Sequence, residues 1–159
     1  MPTPEDRPAL IEQIRALPAQ LRDLVADLSD EELTTAYLPG EWTVAQNVHH
    51  LADSHMHSYI RCKFILTEDH PTLKPYDQAE WATLADATPA DVSSSLRLLE
   101  GLHARWAQFF ESLGPDDWKR AATHPEHSLA ITLDVQLAHY AKHGEDHLEQ
   151  IRRTLAAKP

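Results

Sequence analysis

The chain has 159 residues, 42% of them apolar and 25% charged, the proportions of an ordinary globular domain. Asp and Glu outnumber Lys and Arg by 25 to 14, a net charge of −11, so the basic face that nucleic-acid binding needs is missing. The lone Cys62 excludes an internal disulfide and any multi-cysteine metal site. A chain of this length buries about two thirds of its unfolded surface, enough for a core without staples, and residues 1–159 read as a single domain. No apolar run approaches the roughly 20 residues of a membrane span. The polar, proline-bearing start of the chain has no signal-peptide core, so a cytoplasmic setting is expected.

Residues 4–28 have helical periodicity, with Leu10, Ile11, Ile14, Leu17, Leu21, Leu24, Val25 and Leu28 at spacings of three and four. Pro18 falls inside this pattern and predicts a kink. Ser29-Asp30-Glu31-Glu32 predicts a cap and a short helical turn. Thr43 caps a second long helix over 44–67, whose seam runs Val44, Val48, Leu51, His55, Tyr59, Cys62, Leu66. Residues 68–76 read as a loop and 78–84 as one short turn of helix. Pro89, at a first-turn position, opens a third long helix ending at Leu113. Residues 114–131 are irregular, and a fourth helix runs from about Thr132 to Ala156. No segment has convincing strand alternation. The expected fold is all-α, a four-helix bundle with longer irregular connections after helices 2 and 3. Those connections are where function gathers.

Only 4 glycines argue against a nucleotide fold with glycine-rich turns, whereas 11 histidines are many. Histidine is the commonest metal ligand and the usual acid or base at neutral pH. His143 and His147 lie four apart on the fourth helix, so they stack on one face about 6 Å apart, beside the apolar seam of Tyr140, Leu148 and Ile151. That spacing offers two imidazoles to one metal. His139 extends the stripe, but helical drift turns it from His147. Glu145 points about 160° away from His143 at 3.6 residues per turn, so the run is not the His-Glu-x-x-His of a zincin protease.

A third ligand must come from another helix. Helix 2 carries His49, His50, His55 and His57. His55, in the seam, reads as a core histidine bonded across the bundle, and His57 as outward-facing. Periodicity favours His50 over His49 only slightly. Asp53 is placed to orient an imidazole. His103 reads as buried and structural, Cys62 as core, and His124 and His127 as loop residues that either line a site mouth or are simply exposed. Trp42, Trp81, Trp106 and Trp118 read as core and loop anchors.

The segment Trp42-Thr43-Val44-Ala45-Gln46-Asn47-Val48-His49-His50-Leu51-Ala52-Asp53-Ser54-His55-Met56 resembles the YfiT branch of the DinB-like superfamily. Leu66-Thr67-Glu68-Asp69, Lys74-Pro75-Tyr76-Asp77, His124-Pro125-Glu126 and Tyr140-Ala141-Lys142-His143-Gly144-x-x-His147-x-x-x-Ile151 continue the likeness in order over nearly the whole chain. Lys142, Glu145, Asp146 and Ala45 depart from the branch's pattern without removing a histidine.

The resemblance implies a bundle holding one divalent metal, zinc or else nickel, on His50, His143 and His147. It also implies a homodimer. Two chemistries follow for such a centre. A metal-presented thiolate transfers a low-molecular-weight thiol of the bacillithiol type to an electrophile, without a strong protein base. Alternatively, activated water hydrolyses a substrate, with His55, Asp53 or Glu145 as candidate catalytic base. The transferase is the expected activity; a non-catalytic metal-binding role in stress response is a further alternative. The expected partners are a thiol and an electrophile, with no nucleic acid and no membrane.

Overall fold

The computed structural model describes residues 3–126 and 130–159. Its helices in chain order are α1 (Arg7–Val25), α2 (Asp30–Thr34), α3 (Val44–Thr67), α4 (Gln78–Trp81), α5 (Ser93–Glu111) and α6 (Leu133–Ala156). The long ones, α1, α3, α5 and α6, form a four-helix bundle. Each of α1 and α3 packs against both α5 and α6. The pairs α1/α3 and α5/α6 are therefore diagonal, although each pair is consecutive among the long helices. This arrangement sets α3 beside α6, the two helices that carry the candidate ligands.

The helix starts follow local chemistry. Thr43 Oγ1 accepts the Gln46 N–H while the Gln46 side chain accepts the Thr43 N–H, a reciprocal cap that fixes where α3 begins. Ser29 and Glu32 do the same for α2. Thr132 caps α6 through the Val135 N–H. At the α5 end the proline signal misleads. Pro89 lies ahead of the helix, which starts at Ser93, where Asp91 Oδ1 accepts the Ser93 N–H. The Pro89 carbonyl instead accepts from His49.

The apolar core falls into two clusters along the bundle. Leu21, Val48, Leu51, Leu99, Leu148 and Ile151 fill one end, and Ile14, Cys62, Trp106, Phe110, Leu133 and Leu137 the other. Helix α1 runs through Pro18. Proline has no N–H, so the Ile14 carbonyl four residues earlier lacks its helical donor. Arg7 closes the bundle end with a bidentate pair to Asp134, both bonds 2.8 Å, and its guanidinium sits over Trp118.

The connection 112–132 contains a 3-10 turn at Asp117–Lys119 and two short strands, β1 (Ala121–Ala122) and β2 (Ile131–Thr132), paired antiparallel. Two-residue strands are too short to show alternation, and the sequence reading missed them. The connections also bond to each other. Leu73 N–H donates to the Thr123 carbonyl and Thr123 N–H to that of Pro71, at 2.8 and 2.9 Å. Among the described residues, no helix is long and apolar enough to cross a membrane.

Candidate metal centre

His50 projects from the second turn of α3, and His143 and His147 from the middle of α6. Each offers one ring nitrogen, and the three nitrogens lie within 4.8 Å of one another. His143 Nε2 lies 3.4 Å from His50 Nε2 and 3.2 Å from His147 Nε2. A tetrahedral cation with bonds of about 2.0–2.1 Å holds its nitrogen ligands about 3.3 Å apart. The two spacings from His143 match ligands of one cation, and the His50–His147 pair lies within 4.8 Å. Among the described residues, these are the only three His, Cys, Asp or Glu side chains so gathered.

The far side of each α6 ring is held. Asn47 is fully buried, and its Nδ2–H donates to the Thr43 carbonyl at 2.9 Å, which orients the amide. Asn47 Oδ1 then accepts from His147 Nδ1–H at 2.7 Å, leaving the Nε2 lone pair turned to the cluster. His143 Nδ1 meets His55 Nε2 at 3.0 Å. Trp42, one residue ahead of the α3 cap, packs on His50 at 4.7 Å between ring centres and stacks parallel to His147 at 6.2 Å.

Burial keeps these imidazoles neutral. It pushes His50 down to about 3 and His143 to about 2, with neighbouring imidazoles adding to the effect. It takes His147 to about 4 against the opposing pull of Asp146. Neutral imidazole is the form that ligates.

The cluster opens into a cleft of about 1030 Å³. Its wall includes Trp42, Arg61, Tyr76, His124, Glu126 and Tyr140. Tyr76 comes from the first long connection and His124 and Glu126 from the second, so the bonds between the connections position this rim. His124 thus lines the cleft and is buried there, whereas His127 lies outside the described residues. His139 also lines the cleft and stacks on His143.

The other candidates lie elsewhere. His49 Nε2–H donates to the Pro89 carbonyl at 3.0 Å, and its Nδ1 accepts from the Ser95 hydroxyl at 2.8 Å, so it ties α3 to the start of α5. His55 is fully buried behind His143, bonded to His103 at 2.9 Å. Asp53 is half-buried, and its carboxyl is raised by burial and by Asp86. Glu145 is exposed. None of these four lines the cleft. His57 does not face outward. It stacks on Tyr76 at 4.4 Å and meets Trp81 at 5.0 Å, because the connection folds back over α3. Periodicity reports only what packs inside the bundle and is blind to a returning loop.

The sequence profile of the DinB superfamily matches residues 13–151. A protein of Geobacillus thermodenitrificans named "Putative metal-dependent hydrolase" is 48% identical over 147 residues, which cover 92% of this chain and 83% of that protein. "Putative metal-dependent hydrolase YfiT" of Bacillus subtilis is 43% identical over 147 residues, with the same coverage. The solved structure of Bacillus subtilis YfiT, described as a probable metal-dependent hydrolase with an unusual four-helix bundle topology, superposes with a TM-score of 0.93 at 41% identity. That match covers 97% of this chain and 88% of the other. The chain belongs to the DinB superfamily. Within it, the chain is similar to proteins named for metal-dependent hydrolysis, and it carries a three-histidine cluster.

Proposed function

We propose that His50, His143 and His147 hold one divalent cation, zinc by preference and nickel as the alternative, in an enzyme that transfers a low-molecular-weight thiol of the bacillithiol type to an electrophile. The observation that carries this reading is the convergence of three neutral Nε2 atoms at 3.2 and 3.4 Å on the floor of a wide cleft. A divalent cation held by these three neutral imidazoles would keep its full charge and would lower the pKa of a thiol bound to it.

The protein's own groups do the rest. The three imidazoles would hold the cation, Trp42 packs against two of them, and the cleft would take the electrophile. The reaction forms a bond from sulfur to the electrophilic carbon, breaks the bond to the leaving group and releases the thiol proton. It needs no strong protein base, which suits a wall whose acids are largely engaged. Asp146 pairs with Lys142 at 2.6 Å, Glu41 with Arg153 at 3.1 Å, and Asp77 caps α4.

Hydrolysis is the second reading, favoured by the names of the relatives and by Glu126 in the cleft wall. Calorimetric titration of the metal-loaded protein with bacillithiol, cysteine and glutathione, beside His143→Ala, separates the two. Metal-dependent binding of bacillithiol above the others supports transfer. No thiol binding by fully metallated protein rejects it. Turnover in an ester, amide and phosphoester panel that is lost in Glu126→Gln would then support hydrolysis.

A further inference from the structure

A line of ring nitrogens runs from the cluster into the core. His143 Nδ1 lies 3.0 Å from His55 Nε2, His55 Nδ1 lies 2.9 Å from His103 Nε2, and His103 Nδ1 lies 2.5 Å from the Ile14 carbonyl oxygen. A neutral imidazole has one N–H and one lone pair. The carbonyl only accepts, so His103 carries its proton on Nδ1. Its Nε2 therefore accepts from His55 Nδ1–H, and His55 Nε2 accepts from His143 Nδ1–H. The His143 Nε2 lone pair is left facing His50 and His147. This is the one assignment of neutral rings that satisfies all three contacts.

The anchor exists because of Pro18. In an uninterrupted helix the Ile14 carbonyl would accept the N–H of residue 18, but proline supplies none. The buried carbonyl is satisfied instead by His103 on α5.

We propose that His55 and His103 are positioning residues: an imidazole relay, anchored on the carbonyl that Pro18 frees, which holds His143 in its Nδ1–H tautomer and so presents Nε2 to a metal. The proposal rests on the reading of His143 as a ligand. A metal-bound histidine usually donates its second nitrogen directly to a carboxylate, carbonyl or water. Here the carbonyl stands two imidazoles away. Both intervening rings are fully buried and stack at 5.0 Å, so their orientations are fixed by packing. The relay ends on a neutral group, which orders the protons without placing an anion in the core.

Long-range proton–nitrogen NMR spectra of 15N-labelled, metal-free protein near neutral pH read the tautomers directly. His143, His55 and His103 are each expected as Nδ1–H. One equivalent of zinc should then shift His143 Nε2 and leave its Nδ1–H in place. His103→Leu removes the acceptor for His55. It should turn His143 into a tautomeric mixture and weaken zinc binding, measured against a chromophoric chelator, by about 10–100-fold. His103→Gln, which returns an acceptor toward His55, should keep His143 as Nδ1–H and recover most of the affinity.

A wild-type His143 protonated on Nε2 overturns the relay. So does a folded His103→Leu protein with unchanged His143 signals and a less than about twofold loss of affinity. Should His103→Leu fail to fold, the wild-type spectrum and His103→Gln decide; a folded His103→Gln with His143 protonated on Nε2 again overturns it. The expected tautomers in a protein that binds no zinc would uphold the relay's proton order and overturn the metal reading instead.

Discussion

Gly144 of α6 meets Leu17 of α1 so closely that a Cβ at position 144 would lie 2.8 Å from Leu17 Cδ2 and 3.2 Å from Cδ1. The contact falls between the two α6 histidines, on the side of the helix that faces α1. A glycine inside a helix costs about 1 kcal/mol relative to alanine, so here close approach outweighs propensity.

Gly144→Ala should therefore be a net loss. Overpacking a well-filled core costs about 1–3 kcal/mol, against the roughly 1 kcal/mol gained in helix propensity. The expected result is a lower denaturant midpoint and weaker metal binding, from a shift of α6 at His143 and His147. A higher midpoint with unchanged metal binding would show that Leu17 moves aside at no cost.

On the proposed ligand set, removing any one histidine leaves a site of two. His50→Ala, His143→Ala and His147→Ala should each abolish stoichiometric metal retention, read by elemental analysis after dialysis. His49→Ala should retain the metal and lose stability instead, at about 1 kcal/mol for each of its two hydrogen bonds to the start of α5. Retention by His50→Ala with loss in His49→Ala would reverse the ligand assignment.

The metal-free protein should weaken in mild acid. Burial lowers His50, His55, His103, His143 and His147 below the ordinary histidine value. For a group lowered in the folded state, the unfolded chain binds the proton first. The stability these groups contribute is complete above about pH 6.5 and falls as the pH drops below it. Thermal unfolding of metal-free protein between pH 8 and 5 should show Tm falling toward the acid end. A flat or rising profile would contradict the neutral, buried state of these rings.

Cys62 is fully enclosed, and burial pushes its thiol up to about 12. A disulfide reagent should leave the native protein unlabelled and titrate one thiol after unfolding in guanidinium. Rapid labelling of the native protein would mean that this part of the core opens readily.

The bundle was legible because its long helices carry apolar stripes of sufficient length and its caps are local. Thr43 caps α3 as the sequence predicts, and α6 begins at Leu133, one residue past the expected start at Thr132, which is its cap. The His143–His147 pair was legible for the same reason, since one helix carries both residues. The choice of His50 over His49 was not settled by periodicity, because both are buried. What separates them is the register of α3 against its two neighbours: His49 faces the start of α5, and His50 faces α6. The His55–His103 bond depends on the same kind of register. Pro89 misled because a proline before a helix and a proline in its first turn look alike until Asp91 is seen bonding to Ser93. At the cleft's rim His124 was legible as a loop histidine, but the approach of Tyr76 was not, because it depends on backbone bonds between distant loops.

Those bonds divide the cleft into two parts under different structural constraints. The floor is built from side chains on two packed helices, where a small displacement separates nitrogens only 3.2–3.4 Å apart. The rim is built from two connections joined to each other by the Leu73–Thr123 and Thr123–Pro71 bonds. Residues there can be exchanged, lengthened or shortened while the helices stay in place. Changes in the connections can thus retune what enters the cleft while the three nitrogens at its base keep their places.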